Sequence, residues 1–428
     1  MKKLILKGLD EVVFCDKCKN GLNIYMCVNK KVKNFYATLN VKYGAIDTEF
    51  SVNNKIIKTP KGIAHFLEHL KFNQPDGISA HEYYSKLGSN INAFTTHDFT
   101  AYEVIAAKNF KDNITYLLDY VQTPYFTKDA IKKEKGIIIE EIKMYDDNPG
   151  FKLYTAMNEA LFNIDNRKYM VSGTIADVRK TTDKDMYKVF DTFYHPENMF
   201  IIITGNFDPI EAVTLIKENQ NKKTFSKYQN PTKITQKEDI KVASEYKEIF
   251  GNIETPKIKI AFKMNRNNFK NISDLDLKLY LNSFLRATFG ETSVLQEKLL
   301  QSNLITGEIV LTSTVRDNYV ILSLLTETNY PNEVIKIFRE VMSKPVIKKE
   351  ELERKKKVSI ASSVLSYDDI EMVNSEMEED LITYGQIITN MISHLKKLTI
   401  DEANKILKKI KTDNYSVVIL YPLQNEKK

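Results

Sequence analysis

The order of predicted elements runs through this chain twice, and that recurrence limits the available folds more than any single residue does. In the first half, VVFC, LNIYMCV and FYATLNVKYG within residues 10–44 are β-branched and aromatic, with turn chemistry at Lys19–Gly21, and read as strands. Helical stretches follow at 59–72 and 79–87, the latter stopping at Gly88. A strand pair at 91–96 and 101–106, long helices from 109 to 193 and a closing strand at 199–204 complete the half. In the second half a strand at 257–263 precedes helices at 274–289 and 293–301, strands at 304–312 and 319–325, several helices, and a last strand at 415–421. The halves share little residue identity, so the repeat is one of architecture. The expected fold class is α+β, with two structurally similar halves, each an antiparallel-rich sheet covered by helices on one side. A chain of 428 residues exceeds one compact core. The polar stretch ENQNKKTFSKYQNPTKITQKED reads as a linker, dividing the chain into 1–217, a linker at 218–239, and 240–428.

Composition removes several function classes. The net charge of +6 comes from 62 basic and 56 acidic residues, and the excess is scattered in short runs such as 354–357. Nucleic-acid binding needs a concentrated basic stripe, so no nucleic-acid partner is expected. Apolar residues make up 43%, without a run long enough for a membrane span. The start, MKKLILKGLDE, has an apolar run too short for a signal-peptide core, and a cytoplasmic location is expected. Cys15, Cys18 and Cys27 cluster near the start. Cys15-x-x-Cys18 has no second pair to complete a tetrahedral metal set and reads as an incidental turn, with a zinc-binding or redox module as the alternative.

The stretch TPKGIAHFLEHLKF carries His65, Glu68 and His69 in the order H-x-x-E-H. At about 100° per residue the three side chains leave one face of a helix, which Thr59 is expected to cap with Pro60 as its first residue. Two imidazoles one turn apart can hold one Zn²⁺, and a carboxylate between them can reach a water at the same metal, the inverzincin arrangement. A helical histidine pair alone is more often structural, so the weight falls on a third ligand. Thr127 can cap a helix over 127–147 that Pro149-Gly150 is expected to end. With Ile131 at 0° on its wheel, Ile138 and Ile142 fall within about 20° and define the buried stripe. Glu134, Glu141 and Tyr145 border that stripe at about 280–320°, whereas Glu140 points away. A carboxylate facing a core is costly unless paired or bound to metal. Glu141 is therefore the third ligand candidate, Glu140 a solvated neighbour, and Glu134 an acceptor for a ligating imidazole N–H.

Together HFLEH at 65–69, GSNINAFT at 88–95, EKGIIIEE at 134–141 and YHPENM at 194–199 make the first half resemble the pitrilysin family of zinc metallopeptidases. That family includes insulin-degrading enzyme and the mitochondrial processing peptidase. The second half resembles it only in architecture and in LQEKL at 295–299. The resemblance implies a zinc-dependent endopeptidase with one Zn²⁺ per chain on His65, His69 and Glu141. It makes Glu68 the general base that takes a proton from the attacking water, and Glu134 the outer carboxylate. Asn92 and Ala93 would lie on an edge strand whose backbone pairs with an extended peptide. The implied substrates are peptides or unstructured leader segments of precursors, ribosomally made peptide natural products among them. Active members also use an Arg and a Tyr seven residues apart, where this chain has Leu299 and Thr306. Bacterial relatives of this length include heterodimers, so the expected partner is a homologous subunit that lacks the zinc site and supplies the Arg and Tyr, a homodimer being the other arrangement. The second half, with His394 as its lone histidine, is expected to be structural and substrate-enclosing. The competing reading is a non-catalytic docking or assembly subunit, whose usual sign is an eroded H-x-x-E-H.

Overall fold

A computed structural model describes residues 1–423, and its contacts divide the chain into two compact units, each drawn from three segments. The first unit, of residues 1–142, 170–235 and 363–391, is built on ten strands. They are β1 (Lys2–Leu6), β2 (Glu11–Lys17), β3 (Asn23–Val28), β4 (Phe35–Val41), β5 (Glu49–Val52) and β6 (Lys55–Lys58). β7 (Asn90–Thr95), β8 (Thr100–Ala106), β9 (Met199–Gly205) and β10 (Thr232–Lys233) follow. Seven of these form one sheet in the order β1-β2-β3-β9-β4-β8-β7, antiparallel except for the parallel β3–β9 pair. β10, β5 and β6 make a small separate sheet.

The second unit, of residues 143–169, 236–362 and 392 onward, holds β11 (Tyr246–Gly251), β12 (Lys257–Asn265), β13 (Val310–Val315), β14 (Tyr319–Glu327) and β15 (Tyr415–Pro422). Its sheet runs β11-β15-β12-β14-β13, with β11 and β15 parallel and the other neighbours antiparallel. That order and those directions match β3-β9-β4-β8-β7. The two halves are therefore similar α+β folds, as the recurring element order predicts.

In the first unit, period-2 alternation sends Ala37, Leu39 and Val41 of β4 to one face, where they meet a helical layer. That layer includes α1 (Ile63–Lys71), α2 (Ala80–Leu87), α3 (Phe110–Gln122) and α4 (Lys128–Asp147). The opposite face also has cover. Val373, Met377 and Leu381 of helix Ile370–Thr383 pack there on Leu6, Val13, Phe200 and Ile202. In the second unit, α5 (Pro149–Leu161) buries Leu153, Ala156, Met157 and Ala160 against Ala261, Ile321, Val418 and Leu420. Each sheet thus takes one helix from the other half of the sequence, because a sheet apolar on both faces must have both covered.

Local expectations fail at several places, the strand expected at 304–312 among them, since β13 occupies 310–315. The 59–72 helix begins at Ile63, three residues after Pro60, with Gly62 in its cap at φ 78° and no side-chain cap. Thr59 is used elsewhere, its N–H and hydroxyl both donating to the Thr48 carbonyl. Pro149-Gly150 starts α5 rather than ending α4, with Asn148 accepting from the N–H groups of Gly150 and Phe151. The stretch 218–239 is not free chain: helix Pro209–Asn221 ends in it, β10 pairs with β5, and Tyr228 stacks on His195 at 4.9 Å. Its few apolar residues are enough to fasten it, since the sites that receive them are distant in sequence.

Burial pushes the Cys15 and Cys18 thiols up to about 11 and that of Cys27 to about 12. All three are free thiols, and raised thiols are poor metal ligands because the thiolate is the binding form. Among the described residues, no helix is long and apolar enough to cross a membrane.

Candidate metal centre

The first turn of α1 is set by a close approach of two backbones. A Cβ on Gly62 would meet the Ser172 carbonyl oxygen at 2.1 Å, and one on Gly173 would meet that of Lys61 at 2.5 Å. Only glycine fits there in the left-handed conformation that both adopt. From this start Phe66, Leu67 and Leu70 go into the core, which leaves His65 and His69 facing α4. Their rings lie 4.6 Å apart, centre to centre.

On α4, Thr127 accepts from the Ala130 N–H, and Ile131, Ile138 and Ile142 are buried as the helical wheel predicts. Glu134 and Glu141 are thereby turned toward α1. His65 Nε2 lies 3.7 Å from Glu141 Oε1, and His69 Nε2 lies 3.4 Å from Glu141 Oε2. On the far side of its ring, His69 Nδ1 is 3.4 Å from Glu134 Oε2. Glu140 is exposed, as its side of the helix requires.

The Nε2–carboxylate separations are longer than the roughly 2.7–2.9 Å of a tight charge-assisted hydrogen bond. They match the edge of a tetrahedron with bonds of about 2.0–2.1 Å to a central ion, roughly 3.4 Å. Ligand atoms of His65, His69 and Glu141 all lie within 4.8 Å of one another, and among the described residues no other group of three His, Cys, Asp or Glu side chains does this. Two imidazole nitrogens and one carboxylate form a donor set that suits zinc. The three acids Glu68, Glu134 and Glu141 around two imidazoles add a local demand for positive charge.

The same groups shift one another's pKa values. Burial opposes the His69 imidazolium, yet the carboxylates of Glu134 and Glu141 outweigh it and raise its pKa to about 9. His65 goes the other way, to about 4, through burial and the neighbouring His69 charge. Burial lifts Glu68 to about 7 against the opposing hydrogen bond from Thr95. Only 6% of Glu68 is exposed, and its Oε2 accepts from Thr95 Oγ1 at 2.7 Å.

Asn92 and Ala93 sit in the middle of β7, the last strand of its sheet, with Asn92 exposed and Ala93 half-buried. Leu299 is 3% exposed in helix Val294–Gln301, and Thr306 is tied through its N–H to the Glu327 carbonyl. Neither side chain is equivalent to an Arg or a Tyr. His394 pairs with Asp276 at 2.7 Å in the second unit. The helical wheel did not signal Thr95 or Asn73, whose side-chain amide approaches Glu134 Oε1 at 3.5 Å. Both are polar residues on neighbouring elements, and only tertiary contact selects them.

Residues 57–175 match the family model "Insulinase (Peptidase family M16)", and residues 180–359 match "Peptidase M16 inactive domain". The uncharacterized zinc protease YmfH of Bacillus subtilis is 30% identical over 428 residues, spanning 99% of both chains. The mitochondrial-processing peptidase subunit beta of Dictyostelium discoideum is 21% identical over 394 residues, 85% of this chain and 81% of that one. Among solved structures, an M16-like peptidase from Alicyclobacillus acidocaldarius superposes with a TM-score of 0.89 at 24% identity, covering 98% of this chain and all of that one.

Proposed function

The chain belongs to the insulinase family of peptidases, family M16, and from that premise we propose that it is a zinc-dependent endopeptidase subunit acting on flexible peptides. The observation that carries this reading is the convergence of two imidazole nitrogens on Glu141 at 3.4 and 3.7 Å, separations that suit the edges of a zinc tetrahedron. His65, His69 and Glu141 would hold the zinc, and Glu134 would orient His69 through Nδ1. When bound, zinc supplies a Lewis acid that polarises the scissile carbonyl and acidifies the attacking water.

The rest of the chemistry is the chain's own. Glu68 takes a proton from water as its oxygen bonds to the carbonyl carbon, then passes that proton to the departing amine nitrogen as the C–N bond breaks. Burial tunes Glu68 toward neutrality, where a group can both accept and return a proton. The open edge of β7, at Asn92 and Ala93, would align an extended peptide by backbone hydrogen bonds that demand little of its side chains. This favours unstructured precursor or leader segments. Leu299 has no donor for an oxyanion and the Thr306 hydroxyl is directed at the Glu327 carbonyl, so a homologous partner subunit would supply those groups in the cytoplasm.

The test is elemental analysis of the purified chain, with peptide cleavage measured alone and after mixing with a homologous subunit that lacks the zinc motif. One zinc per chain is expected, with strong cleavage only in the mixture. Glu68→Gln should keep its zinc and lose at least about a hundredfold in turnover. A chain that takes up no zinc would favour the docking-subunit reading, and near-wild-type turnover in the variant would remove Glu68 from its role.

A further inference from the structure

The geometry points to Thr95 as the residue that positions Glu68, tying the proposed base to the edge strand of the sheet. This inference rests on the reading of Glu68 as base. Glu68 stands on α1 with its carboxylate buried, and a buried carboxylate must be held by donors. The donor at 2.7 Å is the Thr95 hydroxyl, on β7 and so on a different element from either metal-facing helix.

The direction of that hydrogen bond is settled by its surroundings. Thr95 lies opposite Thr100 in the last pair of the β7–β8 register, with the two hydroxyl oxygens 3.5 Å apart. Thr100 gives its one proton to the Tyr43 carbonyl at 2.9 Å and offers Thr95 only a distant acceptor at 3.5 Å, so the Thr95 proton goes to the nearer Glu68 Oε2 at 2.7 Å. The turn behind them is also locked. Thr96 donates through its N–H and hydroxyl to the Phe99 carbonyl, and its hydroxyl oxygen accepts from the N–H groups of Asp98 and Phe99. Thr95 is thus a fixed donor on a fixed hairpin. With Oε2 engaged, the carboxylate keeps one rotamer and presents Oε1 for the proton taken from water. A strand that receives the peptide on its open edge would then set the orientation of the base through one hydroxyl.

Thr95 acts through Glu68 and is a positioning residue. Thr95→Val keeps the shape and removes the donor, and Thr95→Ser restores it. In the zinc-loaded chain with its partner, Thr95→Val should lower kcat about tenfold or more, with KM within about twofold and zinc unchanged at one per chain. Thr95→Ser should return kcat to within about threefold of wild type. A readout independent of turnover is a thermal cycle on the zinc-loaded chain, comparing Thr95→Val in the wild-type and Glu68→Ala backgrounds. The melting temperature should drop by at least about 3 °C more in the wild-type background, because only there is a hydrogen bond lost. Equal drops in both backgrounds overturn the pairing, whatever the activity. An unchanged kcat in Thr95→Val overturns the positioning role. Undiminished turnover in Glu68→Gln would instead sink the base reading and leave the thermal result standing.

Discussion

Replacing Glu378 by Gln should stabilise the first unit at pH 8 and leave it nearly unchanged at pH 4. Glu378 lies on helix Ile370–Thr383, which covers the face of the sheet opposite the metal-facing helices, and only 4% of it is exposed. Around it Thr38 donates to Asn374 at 2.8 Å, and Asn40 donates to Thr38 at 2.9 Å. Glu378 Oε1 and Asn40 Oδ1 remain buried acceptors without a donor. Burial is the main cause that lifts this carboxyl from 4.5 to about 7; the neighbouring polar side chains of Thr38 and Asn40 oppose the rise and the Glu103 charge adds to it. An acid whose folded pKa is raised carries no penalty below about 4.5, where it is protonated in both states. The penalty grows as pH rises to about 7 and is complete above that. At 1.36 kcal/mol per pH unit, a rise from 4.5 to about 7 corresponds to about 3 kcal/mol.

Glutamine is neutral at every pH and so carries none of this penalty. For a unit of this size the gain at pH 8 is about 6–12 °C in melting temperature. Thermal unfolding of wild type and variant at pH 4 and pH 8 measures it. The same difference at both pH values, or a variant less stable at pH 8, would refute the account of Glu378 as a carboxyl whose ionisation burial penalises.

Glu134→Gln should leave the fold intact and weaken zinc binding about 10–100-fold, measured by competition with a chelator, since His69 Nδ1 loses its anionic partner; an unchanged affinity would show that Glu134 does not orient His69. Gly62→Ala should cost about 3 kcal/mol or more, because its Cβ meets the Ser172 carbonyl at 2.1 Å in a left-handed conformation. Its melting temperature and zinc content should fall together, and a variant as stable as wild type would mean that the α1 start does not depend on this approach.

Wherever a periodic pattern faces a single environment, the sequence alone was legible. The stripe of Ile131, Ile138 and Ile142 oriented α4, and with it placed Glu134 and Glu141 at the border and Glu140 in solvent. The helical spacing of His65 and His69 put both imidazoles on one side of α1, and the structure brings them to Glu141. The repeated order of strands and helices foretold two similar halves but left the strand pairing open, since β9 reaches β3 and β4, and β15 reaches β11 and β12, over long connections.

The second faces of the sheets could not be read this way. Helix Ile370–Thr383 and β4 are over 300 residues apart, and the polar pairing of Asn374 with Thr38 emerges only when the two elements meet. The start of α1 shows the same limit: Thr59 and Pro60 carry good capping chemistry, yet Gly62 opens the helix because the backbone at 172–173 crosses there. Thr95 is one threonine among many until the β7–β8 register brings its hydroxyl to Glu68. Local propensity and periodicity act over a few residues and sufficed to orient α1 and α4. Which helix covers which face, and which donor meets a buried charge, depends on contacts between distant segments, which the tertiary structure alone supplies.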